Sequence, residues 1–383
     1  MSVRKRSWLT PETGEPREAW VVDYVDRAGK RRHKTFARKR DADAYEITVR
    51  SNIANGIHST SRLTIAGAGE QWLADADARL ERSTVESYRQ HLADHIVPFI
   101  GAVKLADLTV PLVRTFEDQL RAQGRSPAMI KRVIGDLGAL LADAQERGLI
   151  AQNVVRALSR KKQNRAELRT KGKLHVGVDI PTPAEIRATI AHLQDPWRPL
   201  FLTAIFTGLR ASELRGLRWS DVDLKHHELH VRQRADRYNN IGEPKTKAGT
   251  RTVPLPPTVV NVLREWKLVC PKGILGLVFP NGAGNIEGHS NIVHRGLAPT
   301  LVAARVVNKD GTAKYTGLHA FRHFYASWCI NRRADGGLEL PLKLVQVRMG
   351  HSSVQVTADT YGHLFPRSDD GAELAAAERA FVR

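Results

Sequence analysis

The distribution of hydrophobic and polar residues predicts a small β-sheet at the start of the chain. Two short runs of strand-forming residues, 19–25 and 33–36, lie on either side of the turn-like stretch 26–29. Residues 41–54 have the spacing of a helix that covers one face of such a sheet. We therefore expect residues 1–58 to form a compact unit, a three-stranded sheet plus a helix.

Helical periodicity dominates from residue 62 to residue 158. Ser83 and Glu86 have the spacing of a capping box, and Ser126-Pro127 has the form of a helix start. In the last helix of this region, hydrophobic residues recur at intervals of three and four, which predicts one buried face. That face is formed by Ile130, Val133, Ile134, Leu137, Leu140 and Leu141.

The pattern changes again at residue 159. Residues 159–175 are rich in Lys and Arg and lack hydrophobic periodicity, so we interpret them as an interdomain linker. The run 182–185 then combines the features of another helix start, and residues 228–233 and 251–255 have the composition of strands. A third domain, mostly helical, is therefore expected over residues 176–383, with a short amphipathic tail helix at 372–382. The predicted fold class is mainly α with small β-sheets (α+β).

Charge narrows the possible partners. The net charge of +19 on 383 residues favours a polyanion, and nucleic acid is the first candidate. No stretch reaches about 18 consecutive hydrophobic residues, and the N-terminus lacks the hydrophobic segment of a signal peptide, so we expect a soluble intracellular protein that binds no membrane.

Basic residues concentrate in two places. Residues 27–40 contain many cations and no acid, and the linker carries a second cluster. A solvated face, a disordered arm or an exposed tether are the alternative explanations for such runs. The predicted DNA-binding residues are Lys30, Arg31, Arg32, Lys34, Arg38, Lys39, Arg40, Lys161 and Lys162.

Metal and disulfide chemistry find little support in the sequence. Cys270 and Cys329 form no CxxC pair, so we expect ordinary thiols rather than a disulfide or a structural zinc site. His319 and His323 have the spacing of a metal pair, but the glutamate of HExxH is missing and no third ligand is evident nearby. We therefore predict no metal site.

Three short motifs carry candidate chemistry for an anionic substrate. Arg210 follows a glycine at the start of a predicted helix, and Glu213 is spaced to hold it through an ion pair. Further along, His319 and Arg322 lie one helical turn apart and point the same way. His351 follows a glycine, and Tyr361 comes ten residues later. Each motif alone is weak, because such residues also serve in packing and in surface ion pairs.

Taken in order, these motifs resemble the catalytic domain of the tyrosine recombinase (phage integrase) family. The pattern is Arg…Lys…His-x-x-Arg…Gly-His…Tyr, and the matching stretches are TGLRASEL, LHAFRH and MGHSSVQVTADTYGHL. Phe321 and Met349 stand where leucine is common in the family, and neither change affects the chemistry. The resemblance extends in outline to the whole chain, with an arm-type DNA-binding domain (1–58), a helical SAM-like core-binding domain (62–158) and the catalytic domain (176–383).

The resemblance implies a role for each catalytic residue. Tyr361 is the nucleophile that forms a 3′-phosphotyrosine with DNA, and the two arginines stabilise the charge on the phosphate. In this scheme His319 accepts the phenol proton, and Lys245 is the general acid for the departing 5′ oxygen, with Lys247 as its rival. The implied catalytic set is Arg210, Lys245, His319, Arg322, His351 and Tyr361, supported by Glu213 and His323.

The implied function is site-specific DNA recombination by an integrase that integrates or excises a phage or another mobile element. Its partner is double-stranded DNA with core and arm-type sites, on which a homotetramer assembles in the cytoplasm of a bacterial host, associated with the nucleoid. A host DNA-bending protein and an excisionase are further candidate partners, and the chemistry implies no cofactor. The alternatives are DNA relaxation of the type IB topoisomerase kind and a DNA-binding regulator without enzymatic activity.

Overall fold

A computed structural model describes residues 1–9, 15–25, 31–54, 63–158, 173–365 and 370–382. The chain divides into two compact units, residues 1–161 and 162–383. The boundary predicted between residues 58 and 62 falls inside the first unit and stays a prediction. The turn at 26–29, most of the linker, and the candidates Lys30, Lys161 and Lys162 lie outside the described residues. Within the described ranges, no helix is long and hydrophobic enough to span a lipid bilayer.

The first unit begins with the predicted three-stranded sheet and its covering helix. The strands are antiparallel in the order β1-β2-β3, and the register places Val22 beside both Val3 and Lys34. The helix packs Ala42 and Val49 against the face that carries Val22. These elements are β1 (Ser2–Leu9), β2 (Pro16–Val25), β3 (Arg31–Phe36) and α1 (Lys39–Ala54).

Five more helices lie in the described part of the first unit, and a π-helical turn at Leu92–Ile96 connects the second of them to the third. The side chain of Ser126 accepts a hydrogen bond from the Met129 amide at 3.2 Å, as the predicted helix start requires. The whole predicted face of the last helix is buried. The helices are α2 (Ile65–Arg79), α3 (Arg82–His91), α4 (Val97–Ile100), α5 (Val110–Ala122) and α6 (Pro127–Glu146).

The capping box predicted at Ser83 and Glu86 is wrong. Helix α3 begins at Arg82, so Ser83 already lies inside its first turn. Glu86 pairs instead with Arg89 at 2.6 Å, one turn further along the helix. A serine three residues before a glutamate also occurs inside helices, where the glutamate is free to pair with a cation.

Where the structure describes it, the second unit is mostly helical, with two small antiparallel sheets. Its helices are α7 (Pro183–Ala191), α8 (Arg198–Thr207), α9 (Ala211–Gly216), α10 (Pro257–Val269), α11 (His289–Asn291), α12 (Ala298–Ala303), α13 (His319–Ile330), α14 (Leu342–Met349), α15 (Val354–Tyr361) and α16 (Asp370–Phe381). Its strands are β4 (Val222–Asp223), β5 (Glu228–Val231), β6 (Arg234–Ala235), β7 (Ile241–Gly242) and β8 (Arg251–Pro254). Strands β4, β5 and β8 form one sheet, and the hairpin β6-β7 lies between β5 and β8 in the sequence.

Two local features position the core of the second unit. The predicted capping box at the start of α7 is present, with Thr182 and Glu185 exchanging hydrogen bonds of 2.7 and 3.2 Å. Helix α8 is buried along nearly its whole length and ends at Gly208, whose φ is +63°. A Cβ at Gly208 would collide with the ring of Tyr325 in α13, so glycine is required where α8 and α13 meet.

Candidate active site

Arg210 lies at the start of the site, immediately after the turn at Gly208. Its backbone is extended, and α9 begins at the next residue. The predicted ion pair is present, because Arg210 Nη1 donates to Glu213 Oε1 at 2.7 Å and its amide donates to Oε2 at 2.9 Å. Nη2 donates to the carbonyl of Gly350 at 3.2 Å. The Arg210 side chain keeps 34% of its surface exposed, which leaves it open to a phosphate.

Beneath Arg210, Glu213 and Arg251 form a buried ion pair in which each side chain is only 3% exposed. Nη1 and Nη2 of Arg251 donate to the two carboxylate oxygens at 3.1 and 2.8 Å. Its other hydrogen bonds reach the carbonyls of Arg348 and Gly249 at 2.8 and 2.9 Å. Burial by itself raises the pKa of Glu213, but the hydrogen bonds and charge of Arg251, with the charge of Arg210, lower that pKa to about 2. Glu213 is therefore an anion at neutral pH.

Arg251 is the residue of this site that the sequence motifs do not contain. Along β8 and just beyond it, Arg251, Val253 and Leu255 are buried, whereas Thr252 and Pro254 are exposed. This alternation places an arginine on the same side of the strand as two core hydrophobic residues. A cation at a core position needs a buried anion, and this mismatch is the sequence signal that identifies Arg251.

Arg322 comes from α13 and is 3% exposed. Its Nη1 donates to the carbonyl of Gly208 at 2.6 Å, and its Nη2 donates to the carbonyl of Met349. Burial and the charge of Arg210 lower the pKa of Arg322 to about 9, so the guanidinium is still protonated at neutral pH. Arg322 thereby connects the turn before Arg210 to the turn before His351.

The turn that carries His351 is built around Gly350. This glycine has a φ of +62°, and a Cβ there would lie 2.8 Å from Nη1 of Arg251. Both the left-handed backbone and the close approach of the guanidinium require glycine. The next residue, His351, is therefore placed by a turn that fits against Arg251.

The ring of His351 lies between α15 and the arginines. Its Nδ1 is 2.9 Å from the Thr357 hydroxyl, and it stacks on the ring of Tyr361 with a centroid distance of 6.2 Å and an interplanar angle of 10°. Burial and the charges of Arg322 and Arg210 lower the pKa of His351 to about 4. His351 is therefore a neutral imidazole at pH 7, with Nε2 left to contact a ligand.

Tyr361 is the last residue of α15 and is 1% exposed. Its hydroxyl lies 2.8 Å from Nδ1 of His323. Burial raises the pKa of Tyr361 to about 12, although the charges of Arg322 and Arg210 act in the opposite direction. A phenol in this state needs a proton acceptor before it can attack.

The imidazole in contact with this phenol belongs to His323. The acceptor role that the family pattern implies for His319 stays a prediction. Both histidines lie on α13, four residues apart, and the ring of His319 packs edge-on against that of His323 with a centroid distance of 5.5 Å. His319 is the first residue of the helix, whereas His323 lies one turn further in and meets the end of α15. Burial, with the charges of His319 and Arg322, lowers the pKa of His323 to about 4.

Lys245 and Lys247 are both exposed and lie in the connection between β7 and β8. Lys247 opens a 3₁₀ turn that ends at Gly249. A Cβ at Gly249 would lie 2.5 Å from the Pro244 side chain, so this turn closes tightly just before Arg251. Lys245 stays the predicted general acid and Lys247 its rival. Within the described ranges, no group of three metal-binding side chains is arranged to hold a metal ion.

The arrangement defines a class of enzyme. Two guanidinium groups, neutral imidazoles and a tyrosine hydroxyl converge on one site, and this combination suits phosphoryl transfer to a tyrosine. Residues 181–367 match the phage integrase family, and residues 69–120 match the N-terminal SAM-like domain of phage integrases. The chain belongs to the phage integrase (tyrosine recombinase) family, whose members cleave and rejoin DNA.

Individual relatives agree with this assignment. The chain is 27% identical over 378 residues to a XerC-like tyrosine recombinase of Caldanaerobacter subterraneus subsp. tengcongensis, covering 91% of this chain and 92% of the relative. The integrase of transposon Tn1549, solved with a circular intermediate DNA, has the same fold (TM-score 0.64, 19% identity, 83% of this chain and 99% of that one). So does lambda integrase, solved as a tetramer on a Holliday junction (TM-score 0.56, 16% identity, 95% of each chain). The predicted fold class is confirmed, and neither alternative function is favoured.

The low pKa of two histidines predicts that stability falls on acidification. In the unfolded chain His323 and His351 have a pKa near 6.5, and in the folded chain about 4. Between these values the unfolded state binds more protons, so the stability present above pH 6.5 is lost as the pH falls toward 4. We expect a loss on the order of 1 kcal/mol per histidine between pH 7 and pH 5, measured by urea denaturation.

The variant His323→Asn/His351→Asn should show a flatter pH dependence over this interval. His230→Asn, on the side of β5 that faces away from the core, is the matched control. Its free energy of unfolding should depend on pH as it does in the unaltered protein. An unchanged slope in the double variant would contradict the neutral state of the two rings.

Proposed function

We propose that this protein is a site-specific DNA recombinase of the integrase type, which integrates or excises a phage genome or another mobile element. The observation that carries the proposal is the convergence of Tyr361, Arg210 and Arg322 on one site in a chain of the phage integrase family. Relatives that integrate transposon and phage DNA favour the integrase subclass over DNA relaxation alone.

The two arginines bind the scissile phosphate in this proposal. Each guanidinium has five N–H donors, and the contacts to Glu213, Gly350, Gly208 and the carbonyl of Met349 leave several of them for phosphate oxygens. Because these donors are already oriented by the protein, they stabilise the charge that grows on the phosphate in the transition state.

Cleavage then transfers the phosphate from DNA to protein. The Tyr361 hydroxyl attacks phosphorus, a bond forms between phosphorus and Oη, and the bond to the 5′ oxygen breaks. The phenol proton passes to a histidine of α13, and Lys245 protonates the departing 5′ oxygen. The two candidate acceptors are His319, which the family pattern implies, and His323, whose Nδ1 lies 2.8 Å from the hydroxyl before Tyr361 moves. His351 donates from Nε2 to a phosphate oxygen. The negative phosphate raises the pKa of nearby histidines, so its binding strengthens either ring as an acceptor.

The phosphotyrosine keeps the energy of the broken bond. A 5′ hydroxyl from a partner duplex attacks the phosphorus, Tyr361 leaves, and the strand is resealed without ATP. Since Tyr361 is 1% exposed before DNA binds, the end of α15 must move to bring its hydroxyl to the phosphate. DNA binding and exposure of the nucleophile are therefore linked in this proposal.

The N-terminal sheet serves as the arm-type DNA-binding element in this proposal. Helix α1 covers the face that carries Val22, and the ammonium of Lys34 lies on that side, 4.4 Å from the centre of the Tyr45 ring. By the alternation of side chains along a strand, the opposite face carries the cations Arg4, Arg6 and Arg31 with His33. This uncovered face is the better candidate for DNA contact, so Arg31 stays a candidate there, while Lys34, with Arg32, belongs to the helix side.

The assembly follows from the same proposal. Double-stranded DNA is the partner, and a homotetramer on two duplexes is expected because lambda integrase is known as a tetramer on a Holliday junction. A host DNA-bending protein and an excisionase remain candidate accessory factors. The place of action is the cytoplasm of a bacterial host, where the DNA lies.

Replacing the nucleophile provides the first test. With a nicked duplex that carries a candidate attachment site, the protein should form a covalent adduct that survives denaturing electrophoresis. Tyr361→Phe should still bind the duplex but form no adduct, because phenylalanine has no hydroxyl. Tyr315→Phe is the matched control, since Tyr315 is also buried but donates to Glu185, and it should keep the adduct.

Three results would contradict the proposal. No adduct with the unaltered protein would favour a regulator that only binds DNA. An adduct that persists in Tyr361→Phe would move the nucleophile to another residue. Relaxation of supercoiled DNA without any joining of two sites would favour the topoisomerase-like activity.

A modified DNA separates the two candidate general acids. A duplex whose 5′-bridging oxygen is replaced by sulfur releases a thiolate, which leaves without a proton because a thiol has a far lower pKa than an alcohol. Lys245→Ala should cleave ordinary DNA at least about 100-fold slower, within the range general-acid catalysis supplies, and should recover on the sulfur duplex. Lys247→Ala is the control and should cleave both duplexes alike. Rescue of Lys247→Ala instead would transfer the role to Lys247.

The face of the N-terminal sheet that meets DNA is tested by salt dependence. Each phosphate contact contributes about −0.9 to the slope of log K against log salt concentration. Arg4→Gln/Arg6→Gln should reduce the slope for a random-sequence duplex by roughly two, measured by fluorescence anisotropy. Lys5→Gln, from the same strand but the opposite face, should leave the slope unchanged.

Deletion of residues 1–58 completes this test. The truncated chain should still cleave a nicked core-site duplex but should lose integrative recombination. Unchanged recombination, or an equal effect of Lys5→Gln and the double arginine variant, would count against an arm-binding role for the uncovered face.

A further inference from the structure

We propose that Arg251, which lies outside the catalytic motifs, is a positioning residue that sets the geometry of Arg210 and His351 for DNA cleavage. The proposal rests on the recombinase function proposed above and deepens it. Arg251 does not touch DNA in this scheme, because its three guanidinium nitrogens already donate to Glu213 and to the carbonyls of Arg348 and Gly249. It acts through Glu213 and through the main chain.

The first contact of Arg251 determines where Arg210 lies. Oε1 of Glu213 accepts from Nη1 of Arg251 at 3.1 Å and from Nη1 of Arg210 at 2.7 Å. Oε2 accepts from Nη2 of Arg251 at 2.8 Å and from the Arg210 amide at 2.9 Å. Each carboxylate oxygen is therefore shared between the two arginines. Arg251, which is buried, holds the carboxylate in the orientation that the more exposed Arg210 needs.

The second contact determines where His351 lies. Nε of Arg251 donates to the carbonyl of Arg348 at 2.8 Å, two residues before Gly350. The Gly350 carbonyl in turn accepts from Arg210 Nη2 at 3.2 Å. A Cβ at Gly350 would lie 2.8 Å from Nη1 of Arg251, so the turn is in close contact with this guanidinium. One side chain thus holds both the start of α9 and the turn after α14.

The third contact reaches the segment that carries the candidate general acids. Nη1 of Arg251 also donates to the carbonyl of Gly249 at 2.9 Å. Gly249 closes the 3₁₀ turn that Lys247 opens. The connection between β7 and β8 is therefore anchored at its end to the same guanidinium that orients Glu213.

These contacts demand arginine rather than any other cation. The planar guanidinium presents parallel N–H donors to both oxygens of one carboxylate and still has donors for two carbonyls. A lysine ammonium is a point charge with three donors and does not reproduce this fork. Arg251→Lys should therefore preserve the charge but lose the geometry.

Removal of Arg251 should also change how cleavage depends on pH. Glu213 would stay buried but lose the cation that lowers its pKa most, and burial then raises its pKa from about 2 toward or above its ordinary value of 4.5. Protonation of Glu213 would weaken its hold on Arg210. The variant should therefore acquire an acidic limb in its cleavage profile beyond the one that the histidine acceptor gives in the unaltered protein.

The experiment is single-turnover cleavage of the nicked duplex at saturating protein, from pH 5.5 to pH 8. Arg251→Met should lower the cleavage rate constant at least about 10-fold at pH 8, with DNA affinity within about twofold of the unaltered protein, and the rate should fall further on acidification. Arg251→Lys should give a smaller loss. Adding Glu213→Gln to Arg251→Met should abolish this additional limb, because the carboxyl group that titrates is gone.

Arg215→Met is the matched control for loss of a buried arginine. Arg215 is 4% exposed and donates to the carbonyls of Glu287 and Asp236 at 2.7 and 2.9 Å. Its replacement should lower thermal stability without creating an acidic limb. An equal limb in Arg215→Met would show that the effect is general destabilisation and would overturn the proposal.

Other outcomes are equally decisive. Normal cleavage by folded Arg251→Met at every pH would overturn the proposal. If Arg251→Met does not fold, Arg251→Lys decides, and a normal cleavage rate in that variant would overturn it. Absence of any adduct with the unaltered protein would instead count against the recombinase function, so the two failures are distinguishable.

Discussion

The buried pair of Glu213 and Arg251 is the interaction on which the rest of the catalytic unit depends. A carboxylate that is almost fully removed from water is costly unless charge and hydrogen bonds compensate it, and here two arginines supply both. Replacing a buried ion pair as a whole is often tolerated in proteins, whereas removing one partner leaves an unpaired charge. The pair therefore joins α9, β8 and the turn after α14 through one set of hydrogen bonds.

The second constraint is the accumulation of positive charge. Arg210, Arg251 and Arg322 lie close enough that their charges lower the pKa values of neighbouring groups, and Glu213 is the buried anion among them. The histidines respond by staying neutral, since a further cation would be repelled. The site is therefore prepared for an anion that is not part of the protein, and a DNA phosphate meets this need.

The nucleophile adds a third constraint, because its side chain is buried in the protein rather than exposed. Tyr361 is buried, hydrogen bonded to His323 and stacked on His351, and burial raises the pKa of its phenol. In this state the hydroxyl is protected from reacting in the absence of DNA. The phosphate that neutralises the positive charge of the site is also the group toward which the phenol must move. Binding of one ligand therefore compensates the arginines and brings the nucleophile into play.

The sequence by itself determined the family and several contacts between residues that are three positions apart. The order of the motifs identified the family, and the helix starts at Ser126 and Thr182 and the Arg210–Glu213 pair follow from spacings of three residues. The capping box at Ser83 is wrong because the same spacing fits a residue inside a helix, and local pattern does not distinguish the two cases.

Only the tertiary structure decided the partners that are distant in the sequence. Arg251 meets Glu213, and His323 rather than His319 meets Tyr361, each across 38 residues. These choices depend on how β8 and α15 pack against α9 and α13, and short-range spacing does not encode packing. The face of the N-terminal sheet left open by α1 was decided in the same way, since strand alternation predicts two faces but not which of them the helix covers.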